Sequence, residues 1–314
     1  MNSRIDIYKH MNCIQMNMEY ICKILNIDFS KMFIDSWDFY YKPNNDFFSP
    51  EDLLFRQFRK LKFETTQLRY LGIEAQEIDI HNLINLEAIK QYIDSHKALL
   101  LNIDSFHCPW HRGYMKTHID HYCLVVGYSH ETFICIDPYL MGNNYISLSP
   151  SQLMTGRELI YFIHSNDTAS LSVNSLCSEI ISDKTNKSQM FKMMELLLKD
   201  LSETTDSSRF YDYPEDVYLC RITRVTKFIA DGRIQLGYLL EKLSSSHQDM
   251  EELFSLYSLL YHSGDLWNHL NSIFIKNYYA PAQFRRTKKK IIDYMKEIIE
   301  VENKIFCMMK SIVT

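Results

Sequence analysis

The sequence predicts an α+β protein: a first half that mixes helices with antiparallel strands, then a helical second half. Three observations predict it. β-rich runs recur between residues 73 and 163, and from residue 188 onward apolar residues recur only at helical spacing. The stretch between them, Ser165–Lys187, is rich in Ser, Asn, Thr and Asp. The expected division is therefore a mixed domain over 1–165, a linker over 166–187 and a helical domain over 188–314. At 314 residues the chain is also longer than one typical domain.

Taken in order, the first element is a helix. Asn12 is a good N-cap, and Ile14, Met18, Ile21, Cys22 and Leu25 follow at helical spacing. A second helix is expected from Ser49, where Ser-Pro-Glu-Asp supplies cap, proline and acidic first turn. Gly72–Ile78, Asn85–Ser95 and Ala98–Ile103 read as strand, helix, strand. His121–Tyr128 and Thr132–Asp137 form a hairpin by length, and Ile146–Leu148 and Glu158–Ile163 supply further strands. Helices are predicted at about 188–203, 214–243, 248–276 and 284–312.

Composition narrows the function classes. A hydrophobic fraction of 46%, with 21 tyrosines and 18 phenylalanines, is ample for a core. Only 7 prolines and 8 glycines argue against long linkers and a glycine-rich phosphate cradle. A net charge of −5 lacks the basic excess of nucleic-acid binding, so no nucleic-acid partner is expected. Residues 1–10 do not read as a signal peptide, and no apolar run reaches bilayer-spanning length. A cytoplasmic protein without membrane association is expected. The eight cysteines have no framework spacing and read as reduced thiols. Cys22, Cys123 and Cys135 lie in apolar runs and read as core filling, which leaves Cys13 and Cys108 to explain.

Cys13 falls in the first turn of a helix, where free N–H groups and the helix dipole stabilise a thiolate. Taken alone, a cysteine in an apolar helix is more often core filling. The hairpin adds a second observation. His121 opens its first strand and Asp137 closes its second, with the turn near residue 129 or 130. The two are then directly opposite or one diagonal step apart on one face. A carboxylate there holds one imidazole nitrogen and turns the other toward a thiol.

These residues carry a resemblance. Asn12-Cys13 opening an apolar helix, the run His121–Tyr128, and Ile134-Cys135-Ile136-Asp137-Pro138-Tyr139 resemble the papain-like cysteine peptidase pattern. They are more similar to the butirosin-biosynthesis H-type N-terminal domain. Ala98–Asp104, then Pro109, Trp110 and Tyr114, fit the stretch that precedes the histidine motif there. The resemblance covers residues 8–165 and rests on three short motifs in order. It implies a papain-like fold and acyl transfer in antibiotic or nonribosomal-peptide biosynthesis. The acyl donor would be a carrier-protein thioester and the acceptor a small amine, as in the amide-forming cysteine-protease homologues of closthioamide-type assembly. By the same resemblance Cys13 is the acyl acceptor, His121 the base and then acid, and Asp137 its orienter. No cofactor is implied beyond the phosphopantetheine arm of the acyl or peptidyl carrier. The pattern departs in one place: Ile7 stands where papain-like peptidases usually carry an oxyanion-hole glutamine. The Cys13 backbone N–H, helped by Asn12 or Gln15, is the expected substitute, and Tyr122 a substrate-side residue.

Other readings stay open at this stage. His107, Cys108, His111, His118 and His121 include the side chains of a zinc site, but Pro109 and Gly113 interrupt any helix that would present them. No metal is expected. A cysteine peptidase, or a papain-like scaffold that only binds a peptide or product, would use the same fold. Two basic clusters are candidate docking patches for an acidic carrier: Arg285 to Lys290, and Arg56, Arg59, Lys60 and Lys62. A solvated helix face is the plainer explanation of both. The long C-terminal helices can pair between two chains as easily as within one, so a homodimer is a further expected partner state.

Overall fold

The computed structural model describes residues 5–39, 41, 66–80, 86–130, 132–142, 144–165, 170–182, 184–213, 215–244 and 250–313. The helix expected from Ser49 and the basic cluster from Arg56 to Lys62 lie outside them. The chain forms two compact units that alternate along the sequence: Met1–His10, Phe33–Lys62 and Leu171–Thr314 make one, Met11–Met32 and Phe63–Ser170 the other. These boundaries differ from the expected 1–165, 166–187 and 188–314. Residues 33–62 belong with the helices, and much of the expected linker is itself helical.

The mixed unit contains helices α1 (Cys13–Leu25), α2 (Thr66–Leu71), α3 (Leu86–His96) and α4 (Pro150–Leu153). Its strands are β1 (Ile73–Asp79), β2 (Leu99–Asp104), β3 (Asp120–Ser129), β4 (Thr132–Ile136), β5 (Tyr145–Leu148) and β6 (Gly156–His164). The six strands run in the order β1-β6-β2-β3-β4-β5, every neighbouring pair antiparallel. Strand β6 thus returns to the middle of the sheet between β1 and β2. Leu159 and Ile160, successive and facing opposite sides, are both buried there. On one face Leu99, Leu101, Ile103, Cys123, Val125 and Leu159 pack with Ile89 and Ile93 of α3. Helix α1 packs against β3.

The β3–β4 hairpin carries an irregularity that matters for the site. Next to the turn Ser129 pairs with Thr132 and Gly127 with Ile134, but beyond the shift Val125 pairs with Cys135 and Leu124 with Ile136. The extra residue on β3, Val126, is a bulge that changes the register by one. An unbroken ladder from this turn would set Asp137 opposite Leu124, on the side of the sheet away from His121. With the bulge, the continued register sets Asp137 opposite Cys123, one diagonal step from His121 on the same face.

The helical unit contains α5 (Val173–Ser182), α6 (Lys184–Glu203), α7 (Arg221–Ser244), α8 (Met250–Tyr279) and α9 (Phe284–Val313). Helix α8 packs on α7 and α9, and α9 also packs on α5 and α6. A fully buried ion pair ties α7 to α9: Arg233 Nε donates to Glu302 Oε1 at 2.8 Å. Ser263 of α8 donates to the same oxygen at 2.7 Å, and Trp37 Nε1 donates to Oε2. The Trp37 segment lies close to α7 because residue 232 is glycine; a Cβ there would meet the Ser36 carbonyl oxygen at 2.3 Å, which means a clash. Among the described residues no helix is long and apolar enough to cross a membrane.

Candidate active site

Helix α1 begins where the sequence places it. Asn12 is extended at φ −91° and ψ 178°, its Oδ1 accepts the Gln15 N–H at 3.0 Å, and Gln15 Oε1 accepts the Asn12 N–H at 3.0 Å. This reciprocal capping box fixes the first turn and makes Cys13 the first helical residue. The backbone N–H at that position has no intrahelical acceptor, and no acidic side chain in the first turn offsets the positive end of the dipole. Cys13 is half-buried. Burial pushes the Cys22, Cys108 and Cys177 thiols up to about 12, which keeps them neutral. Cys123 is raised as well, chiefly by its hydrogen bond to Cys135 and then by burial. Cys108, left unexplained by sequence, is a core residue with no exposed surface.

His121 and Asp137 meet as the bulged register requires. His121 Nε2 lies 2.6 Å from Asp137 Oδ2, and both side chains are buried. Asp137 accepts two more groups of bonds: Trp110 Nε1–H donates to Oδ2 at 2.7 Å, and the Tyr139 and Leu140 N–H groups donate to Oδ1 at 3.2 and 3.1 Å. Burial alone would raise its pKa, but the His121 hydrogen bond and charge, with the Trp110 and Leu140 donors, hold it below the usual carboxylate range. Cys13 is the other group that acts on the His121 ring, whose Nδ1 is left open by the Nε2 bond to Asp137. Burial would lower the imidazole's pKa; the bonds to Asp137 and Cys13 and their negative charges outweigh it and raise it to about 10. The site thus places an imidazole that favours its protonated form beside a buried carboxylate.

The remaining candidates divide. Asn12 Nδ2 is buried and has no hydrogen-bond partner, whereas Gln15 Oε1 accepts the Asn12 N–H in the cap. Tyr122, on the face of β3 opposite His121, is buried, and its hydroxyl accepts from Asn102 Nδ2 at 3.2 Å. The histidines of the 107–121 segment go to different places. His118 Nδ1 lies 2.8 Å from Asp104 Oδ2 while its ring stacks on Phe106; His107 is exposed; the His111 ring centre is 4.9 Å from that of His121. Among the described residues no group of three or more His, Cys, Asp or Glu side chains is disposed to hold a metal ion.

Two residues had no role in the sequence reading. Trp110 was noted only as part of the stretch before the histidine motif, and its indole N–H caps the Asp137 carboxylate. Asn17 passed unnoticed. Its Nδ2 donates to the Cys13 carbonyl and to the Tyr122 carbonyl, both at 2.8 Å, from a fully buried position. The available signal was a polar residue four positions after Cys13, beside the apolar stripe of a buried helix. No protein-family model matches the chain, and no curated protein sequence matches it.

Proposed function

We propose that this chain is a cysteine acyltransferase on a papain-like scaffold, forming an amide by passing an acyl group from a carrier-protein thioester through Cys13 to an amine. The observation that carries the reading is the line Cys13–His121–Asp137, with the sulfur at a capped helix N-terminus and the imidazolium held by a buried carboxylate. In the first half-reaction the Cys13 sulfur attacks the thioester carbonyl. The carbon–sulfur bond to the carrier breaks, and the His121 proton goes to the departing carrier thiolate. In the second, the amine attacks the acyl-Cys13 carbonyl, its proton passes to His121, and the Cys13 sulfur leaves as thiolate. Both tetrahedral intermediates need donors for the oxyanion. The Cys13 backbone N–H and the unpartnered Asn12 Nδ2 suit that task. The choice of acyl transfer over proteolysis, the carrier and its phosphopantetheine arm come from the family resemblance of the three motifs.

The test is intact-protein mass spectrometry after incubation with acyl N-acetylcysteamine thioesters and with an acyl-loaded carrier protein. A mass gain that is absent in Cys13→Ala and discharged by added amine supports the reading. Discharge by water at the same rate with and without amine points to a hydrolase. No adduct from either donor would leave a binding scaffold.

A further inference from the structure

The proposed chemistry joins two separate elements, the first turn of α1 and the start of β3, and something has to fix their spacing. Backbone ladders do not do so: β2 pairs with β3 through Tyr122, His121 and Asp120, but that ladder holds β3 to its neighbouring strand and not to α1. A single side chain does bridge them. Asn17 Nδ2 donates one proton to the Cys13 carbonyl and the other to the carbonyl of Tyr122, the residue after His121, each at 2.8 Å. Both amide protons are thereby spent on the two residues whose positions decide the sulfur–imidazole geometry. Asn17 itself is fully buried, and its Oδ1 is buried without a partner. An unpartnered buried acceptor costs stability, and a leucine of similar size at this apolar helix position would avoid that cost. A residue chosen for stability alone would not carry that oxygen.

We propose that Asn17 is a positioning residue that clamps Cys13 against His121 by bonding the Cys13 and Tyr122 carbonyls with one amide. The inference rests on the Cys13–His121 pair of the proposed function and not on the identity of any donor or acceptor. It acts through geometry: with the clamp gone, the apolar packing of α1 on β3 tolerates the small slides that break a hydrogen bond. The titratable groups around the pair are Asp137, His111, Tyr122 and Cys108, and all are unchanged by substitution at residue 17.

The experiment is the pH profile of iodoacetamide alkylation at Cys13, mapped by peptide mass, in the wild type, Asn17→Leu and Asn17→Asp. Leucine removes both donors at similar size; aspartate keeps the shape and sets an acceptor against two carbonyls. Pairing with His121 should make the wild-type rate less dependent on pH than that of either variant, whose rate at pH 6 should fall at least about tenfold further below its rate at pH 9. A purely structural role would lower the melting temperature and leave the profile of the folded protein unmoved, and that result overturns the inference. Should neither variant fold, the wild-type protein still decides. The Asn17 side-chain amide protons are expected to exchange with solvent on the order of a hundredfold more slowly than a free amide, and exchange at the free rate overturns the clamp. Neither readout uses a thioester, so failure of acyl transfer and failure of the clamp are separable.

Discussion

His121 is subject to opposing effects of comparable size. Removing an imidazolium from water is costly, yet Asp137 and Cys13 together hold the ring protonated to about pH 10. The consequence for stability has a definite sign. The folded-state value lies above the value of about 6.5 expected in the unfolded chain. The stabilisation is therefore complete below pH 6.5, declines as pH rises from there, and is lost on passing through about pH 10. Chemical denaturation at pH 6.5 and pH 10 should show the wild type losing more stability over that interval than His121→Gln, which has no proton to lose. Equal losses in the two proteins would mean that the imidazole is neutral in the folded state. Asp137 was readable as the ring's partner from its place in the hairpin. Its other donors were not, because Trp110 reaches it from a loop whose path no periodicity reports.

Helices and strands were the most legible level, and the reason is physical. Each strand of the sheet and each of the four longest C-terminal helices shows its own hydrophobic period, so their places could be read within a few residues, except that α7 starts at Arg221 and not near residue 214, and α5 lies where a linker was expected. The bulge at Val126 could not be read, since one extra residue leaves the alternation of a buried strand almost unchanged. The return of β6 between β1 and β2 was equally hidden, because strand order is settled by long-range pairing. Helix α9 presents a different problem. Arg285, Arg286 and Lys289 are exposed in its first two turns and make no ion pair among the described residues. Cations there oppose the helix dipole, and Arg286 also repels Lys289 and Lys290 one turn on. Arg286→Glu reverses both effects, with the new carboxylate facing the dipole and those two lysines. It should stabilise the protein by about 0.5–1 kcal/mol in a denaturant titration at low salt, with the gain shrinking as salt rises. A loss of stability would show that the arginine is held by a contact that outweighs the dipole.

At the scale of the whole chain, composition sees only contiguous stretches, and the compact units are not contiguous. The helical unit takes residues from three separate parts of the sequence, including Phe33–Lys62. The reason lies in what that early segment buries. Phe33, Ile34, Trp37 and Phe39 are almost wholly enclosed. Within the helical unit Phe39 packs on Trp267 with ring centres 5.7 Å apart, Trp37 bonds to Glu302, and Tyr41 bonds to Asp200. Arg233 Nη1 also donates to the Asp38 carbonyl at 2.6 Å. A fragment of residues 1–165, cut where composition suggests, would retain this segment and lose α5 to α9. Its large aromatic side chains would be returned to water, each losing roughly 1.5–3 kcal/mol of burial. The fragment should therefore bind a hydrophobic dye strongly and self-associate in gel filtration, even where far-ultraviolet circular dichroism still reports the sheet. A monomeric fragment that leaves the dye unbound and unfolds in one sharp transition would show that residues 33–41 can be covered without the helices. In that case the alternation of the two units along the chain would not be required for folding.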